Sequence, residues 1–166
     1  MSIRSVVTLP NQTLVTRAKT VERIGEAEKA LCVDLVDTMR ASPACVGLAA
    51  QQVGELIRVF VVDVTEHPKA KVTHGLITLF NPEIISTSGH EVAREGCMSI
   101  PHFTGDVERA THVVVRGQCP GGEEVIIETE GFEARALLHE IDHLDGKVFL
   151  DRVTGPHAIF KRRTYR

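Results

Sequence analysis

"LLHEIDHLDG", residues 137–146, sets His139 and His143 four positions apart, with Glu140 directly after the first. On an α-helix that spacing puts both imidazoles on one face, one turn apart, where they can grip a single cation. The flanking residues predict a helix. Ala134, Leu137, Leu138, Ile141 and Leu144 recur at helical spacing from Phe132 to about Asp145, and Gly146 supplies a stop. The apolar side is broad, so the helix should be largely buried against sheet. A plain amphipathic helix with two hydrogen-bonded histidines is the alternative, but paired buried imidazoles need polar partners, which favours a metal pair. Two histidines leave the site incomplete, because a catalytic Zn²⁺ or Fe²⁺ takes three protein ligands and keeps a position open.

Upstream, residues 20–40, "TVERIGEAEKALCVDLVDTMR", place Ile24, Ala27, Leu31, Leu35 and Met39 at three- and four-residue spacing, a long amphipathic helix that Pro43 closes off. "CVGLAAQQVG" (45–54) reads as a loop or irregular strand with close backbone approach. "IRVFVVDV" (57–64) is a β-branched strand, and "GLITLFNPEII" (75–85) is further strand interrupted by an Asn-Pro turn. "HVVVRG" (112–117) and "EEVIIETEG" (123–131) make a hairpin through Cys119-Pro120-Gly121-Gly122. Strands without regular βαβ alternation predict an α+β fold. Antiparallel or mixed sheets should pack around a central buried helix bearing the His-Glu-x-x-His pattern, with the long amphipathic helix towards the N-terminus.

The 166 residues fit one domain, 1–166, with a single sizeable core. Trp is absent and aromatics are 4%, so that core must rest on Val, Ile, Leu and Ala. A net charge of -3 argues against a DNA-binding protein. The basic end, "KRRTYR" (161–166), reads as a solvated tail. No basic segment with an apolar run opens the chain, and no stretch approaches the roughly 20 apolar residues of a membrane span. Cys32, Cys45, Cys97 and Cys119 are scattered, with no Cys-x-x-Cys pair. The expectation is a cytoplasmic protein with reduced thiols.

The third ligand can be sought along the chain. Zinc peptidases that continue the pattern to a third histidine would need one at Phe149, and those using a downstream Glu find none after Glu140. Asp151 and His157 remain as downstream candidates. Upstream, "AREGCMSIP" (93–101) holds Cys97 between Gly96 and a short polar turn. A thiolate is a strong ligand for Zn²⁺ or Fe²⁺, and two imidazoles plus one thiolate leave a fourth position free. Cys32 and Cys119 read as small buried hydrophobes.

Taken together, "VGLAAQQ" (46–52), "EGCMS" (95–99) and "HEIDHL" (139–144) resemble the three signature motifs of the peptide deformylases. The similarity extends to "FNPEI" (80–84) and "HLDGKVFLDR" (143–152). The resemblance implies removal of the formyl group from N-terminal formyl-methionine of nascent polypeptides, with release of formate. By matching position, Cys97, His139 and His143 would hold one divalent metal ion, Fe²⁺ in the first place, with Zn²⁺, Ni²⁺ or Co²⁺ able to replace it. Glu140 would be the acid-base residue, and Gln52 with the Met98 backbone N–H would bind the oxyanion. Val46 and Gly47 would meet the substrate backbone. Glu95, Phe132 and Ala136 complete the substrate-binding set, the last two on the His139 face of the helix. Transient ribosome association through the basic tail follows from the same resemblance.

The chemistry of these residue types agrees with that activity. A divalent cation lowers the pKa of bound water from roughly 15.7 to about 7, and the hydroxide can attack the formyl carbon. Glu140 can take the proton and pass it to the departing amine. Some positions depart from the family pattern. Leu138 stands where Gln is common, Cys45 where the first motif begins with Gly, Gln51 where Pro is frequent, Met98 where Leu is usual, and Thr104 where many relatives carry Arg. They motivate two rivals: a deformylase-like hydrolase for another N-formyl or small amide substrate, and a non-catalytic metal- or peptide-binding module. The intact Glu140 speaks against the second.

Overall fold

The structure, a computed structural model, describes residues 2–163; Thr164, Tyr165 and Arg166 of the basic end lie outside the described residues. Helix α1 is Glu26–Arg40. Strands β1 (Gly47–Ala49), β2 (Val59–Val62), β3 (Ile77–Ser88), β4 (Glu91–Cys97), β5 (Ile100–Arg109), β6 (His112–Gln118) and β7 (Glu124–Glu130) follow, then helix α2 (Gly131–Leu144) and strand β8 (Ile159–Lys161). Five strands form one sheet in the order β1-β2-β3-β6-β7, and three form a second in the order β4-β5-β8. Every ladder among the described strands is antiparallel, so the fold is α+β with antiparallel rather than mixed sheets.

β2 shows why the sheet sits where it does. All four residues of "VFVV" are fully buried, because alternate side chains face opposite helices. Phe60 and Val62 join Leu137, Leu138, Ile141 and Leu144 of α2, while Val59 and Val61 join Leu31, Leu35 and Met39 of α1. Each such side chain contributes about 1.5–3 kcal/mol on leaving water. A third cluster fastens the small sheet to the segment after α2 through Cys97, Ile100, Val107 and Phe149. Phe149 is 1% exposed, so the position that could have offered a third imidazole is a core plug.

Two boundaries differ from expectation. The helix expected from Thr20 begins at Glu26. Before it, Lys19 bridges Ile57, and the Asn81 side chain bonds both N–H and carbonyl of Val21 at 2.8 Å. These ties hold residues 19–21 extended, and Gly25 caps the helix with its N–H on the Glu28 carboxylate at 2.9 Å. The Asn-Pro turn is a bulge, not a break. Asn81 takes a φ of +50°, the register shifts between Phe80 and Glu83, and β3 continues to Ser88. The hairpin of β6 and β7 forms as the sequence suggests.

The candidate metal centre and its cleft

α2 is buried on nearly all sides, including the polar Glu133, Arg135, Glu140, Asp142 and His143. The His139 and His143 rings stand edge to face, 5.1 Å apart at an interplanar angle of 70°. β4 ends against them. A register shift after Gly96 turns Cys97 inward, and its Sγ lies 3.3 Å from His143 Nε2. Ligand atoms of Cys97, His139 and His143 all lie within 4.8 Å of one another. Burial alone would raise the Cys97 thiol, yet the two imidazoles hold it well below its usual range. Thiolate sulfur and two imidazoles are a donor set that fits a divalent cation, which displaces the protons they share. Asp151 and His157 lie outside this cluster.

His139 is aimed from behind. Its Nδ1 lies 2.8 Å from Glu95 Oε1, so the N–H on that side points to the carboxylate and Nε2 is left for a cation. Glu95 is in turn gripped by Arg135 at 2.7 Å and by both sides of the Arg109 fork. Burial would push its pKa up, but His139 and Arg109 hold it well below the usual carboxylate range. Glu95 borders the cleft, and its carboxylate is turned onto His139 and two arginines. Arg109 also reaches Asp142 at 2.9 Å, which Arg152 holds at 3.0 and 3.1 Å.

Gln52 is 2% exposed and fixed in orientation. Its carbonyl accepts from the Ala49 N–H at 3.0 Å, which turns its amide NH₂ towards Ser99 Oγ at 3.1 Å and Cys97 Sγ at 3.5 Å. Gln51 donates to the His143 carbonyl, so the residue that replaces the frequent proline ties the 50–53 turn to α2. Leu138 packs in the cluster between α2 and the large sheet. Cys45 is a packed thiol: it donates to the Gly47 carbonyl at 3.2 Å, and burial pushes its pKa up to about 12.

Above the centre opens a cleft of about 1190 Å³, bordered by Val46 and Gly47 on one side and by Gly96, Cys97 and Met98 on the other. β1 and β4 are each the terminal strand of their sheet, so two free strand edges flank this space. Phe132 and Ala136 line it too, joined by His67, which the sequence did not single out and which stacks on Phe132 at 4.0 Å. The described part of the basic end, residues 161–163, is exposed, as a solvated tail should be. Lys161 ends β8, and Lys161, Arg162 and Arg163 border the cleft.

Glu140 lies at the cleft floor with one carboxylate oxygen, Oε2, buried and without a hydrogen-bond partner. Burial pushes its pKa up to about 7, against the pull of His139 and His143. A Cβ on Gly47 would stand 2.7 Å from Glu140 Oε1 and 3.1 Å from its Cδ. Gly47→Ala is therefore expected to displace Glu140 and lower kcat/KM by about 10²-fold, as an ångström-scale misplacement does. Bound metal should stay at wild-type stoichiometry, which elemental analysis beside the kinetics will test.

The polypeptide deformylase family model matches residues 3–158. A peptide deformylase of Syntrophobacter fumaroxidans is 42% identical over 164 residues, covering 98% of this chain and 94% of that one. Another, from Desulforudis audaxviator, is 45% identical over 164 residues, covering 98% and 99%. The crystal structure of peptide deformylase from Thermotoga maritima superposes with a TM-score of 0.85 at 35% identity, covering 93% of this chain and 100% of that one.

Proposed function

The chain belongs to the polypeptide deformylase family, and from that premise we propose how its own residues carry out the family reaction. The reaction is metal-dependent hydrolysis of the N-terminal formyl group of nascent polypeptides. The observation that carries the assignment is the meeting of Cys97, His139 and His143 ligand atoms within 4.8 Å, beside the partnerless Glu140 carboxylate oxygen.

Cys97, His139 and His143 hold the cation, Fe²⁺ in the native protein, with Zn²⁺, Ni²⁺ or Co²⁺ as substitutes. When bound, it polarises the formyl carbonyl and makes water acidic enough to be a nucleophile near neutrality. Glu140 takes the proton of the attacking water and delivers it to the departing amine, its buried and partnerless Oε2 leaving it free for both acts. The Gln52 amide and the Met98 N–H donate to the formyl oxygen as it gains negative charge, each such donor supplying roughly 3 kcal/mol. The peptide lies extended between the β1 and β4 edges, with Val46 and Gly47 bonding its backbone. Its methionine side chain rests against Phe132, Ala136 and His67. The chain acts in the cytoplasm, and no described helix is long and apolar enough to cross a membrane.

The test is anaerobic purification with metal analysis, followed by formate release from formyl-Met-Ala peptides and from free formyl-amino acids. The expected result is one iron per chain, turnover of the peptides, and loss of metal and turnover together in Cys97→Ala. Air should inactivate the iron form faster than a nickel form, because a thiolate beside ferrous iron is exposed to oxidation. Activity on the free formyl-amino acids alone would favour the rival small-molecule hydrolase. Ribosome association through the basic end is the outermost part of this proposal; unchanged, salt-insensitive association after removal of residues 161–166 dismisses it.

A further inference from the structure

The cleft takes one of its charges from the far end of the chain. β8 pairs with β5 through Phe103–Lys161, Thr104–Phe160 and Gly105–Ile159, and the Arg162 N–H donates to the His102 carbonyl at 2.9 Å. That pairing lays the Arg162 guanidinium over Gly96, where any Cβ would collide with Nη2 and the Thr104 methyl would stand 3.4 Å away. Gly96 is not among the glycines with left-handed backbone, so what it provides is space, and the guanidinium fills it.

Two neighbouring arginines are neutralised, whereas Arg162, like Lys69, Lys161 and Arg163 along the same cleft, meets no carboxylate among the described residues; Arg162 is set apart by its seat over Gly96. Arg94 donates to Asp106 at 2.8 Å and lies 3.8 Å over the Phe160 ring, while Arg135 is held by Glu95. Among the described residues no carboxylate pairs with Arg162. The acids bordering the cleft, among the described residues, are Glu95, already gripped by arginines, and Glu140 at its floor. Among the described residues, the mouth is therefore cationic, with no free carboxylate to answer that charge. Gly96 adjoins Cys97, and an extended peptide advances about 3.3 Å per residue, so its third residue lies about 7 Å beyond the first.

We propose that Arg162 is a specificity-determining residue that receives a carboxylate at about the third residue of the formylated peptide, from an acidic side chain or a short peptide's own C-terminus. This rests on the deformylase reading of the same cleft. The experiment compares kcat/KM for formyl-Met-Ala-Ser-amide, the same peptide as the free acid, and formyl-Met-Ala-Glu-amide, in wild type, Arg162→Ala, Arg162→Lys and Arg162→Glu. Wild type should favour a carboxylate peptide over the neutral amide by about 3–5-fold, the size of an exposed charge pair, through KM. The ratio should fall to near one in Arg162→Ala, survive in part in Arg162→Lys, and invert in Arg162→Glu. It should also collapse near 1 M salt, where the screening length is about 3 Å. A preference confined to the free acid identifies the terminal carboxylate, and one confined to the Glu peptide identifies the side chain. A wild-type ratio of one, or a ratio unchanged in Arg162→Ala, overturns the proposal while the deformylase reading stands. No formate release from any peptide by metal-loaded wild type brings down both.

Discussion

Glu140→Ala is expected to lower formate release by about 10²–10⁴-fold, the range that a positioned general acid-base contributes, while the chain keeps its cation. Both halves follow from where the carboxylate lies. The clustered ligand atoms come from Cys97, His139 and His143, so removing Glu140 takes away no donor from that set. Oε2 has no hydrogen-bond partner, so truncation strands no other group on that side. Glu140→Gln sharpens the test, because it keeps the volume and shape of a side chain only 4% exposed but cannot carry the proton. Both variants should lose turnover to a similar degree and bind metal at wild-type stoichiometry. Near-normal turnover in either would count decisively against this mechanism, and loss of metal in both would make Glu140 a structural residue instead.

The elements legible in the sequence were those whose periodicity is set by one dominant neighbour. α2 announced itself because its apolar positions face the large sheet, and β2 because "VFVV" is buried on both faces. The start of α1 was not legible, since Ile24 continues the helical spacing while the backbone at residues 19–21 is bound to Ile57 and Asn81 from elsewhere in the chain. The small sheet went largely unread. Gly96, Pro101 and Gly105 thin the strand pattern of β4 and β5, and much of β5 is polar. In the candidate site, the short motifs named Cys97, His139, Glu140 and His143, but the support behind them is not local. Glu95, Arg109, Arg135 and Asp142 meet across separations of 14, 33 and 40 residues that no spacing rule connects. One signal was there to find: Arg135 and Asp142 are charged residues on a helix whose apolar side is broad enough to bury it, and buried charges come in pairs.

Arg109 is where that hidden support should yield its largest stability effect. Its side chain is 4% exposed and its fork holds Glu95, while the remaining nitrogen holds Asp142 at 2.9 Å. In Arg109→Ala each carboxylate keeps one guanidinium, Arg135 on Glu95 and Arg152 on Asp142. Two buried anions nonetheless lose the cation between them, so the cost should sit near the lower end of a broken buried pair, about 3 kcal/mol. For a chain of this size that lowers Tm by about 6–12 °C. Arg109→Lys should recover little, because an ammonium cannot reproduce a fork that bonds two oxygens of Glu95 while reaching Asp142. The same change loosens the carboxylate that aims His139, so metal affinity should fall by about 10–100-fold even in the folded fraction. Arg116→Ala is the comparison: its 2.7 Å pair with Glu83 is exposed, and its loss should leave Tm nearly unchanged. If the two variants melt alike, the buried arginine is not holding the framework behind the metal ligands. If Arg109→Ala loses stability but binds metal as tightly as wild type, Glu95 keeps His139 in place without it.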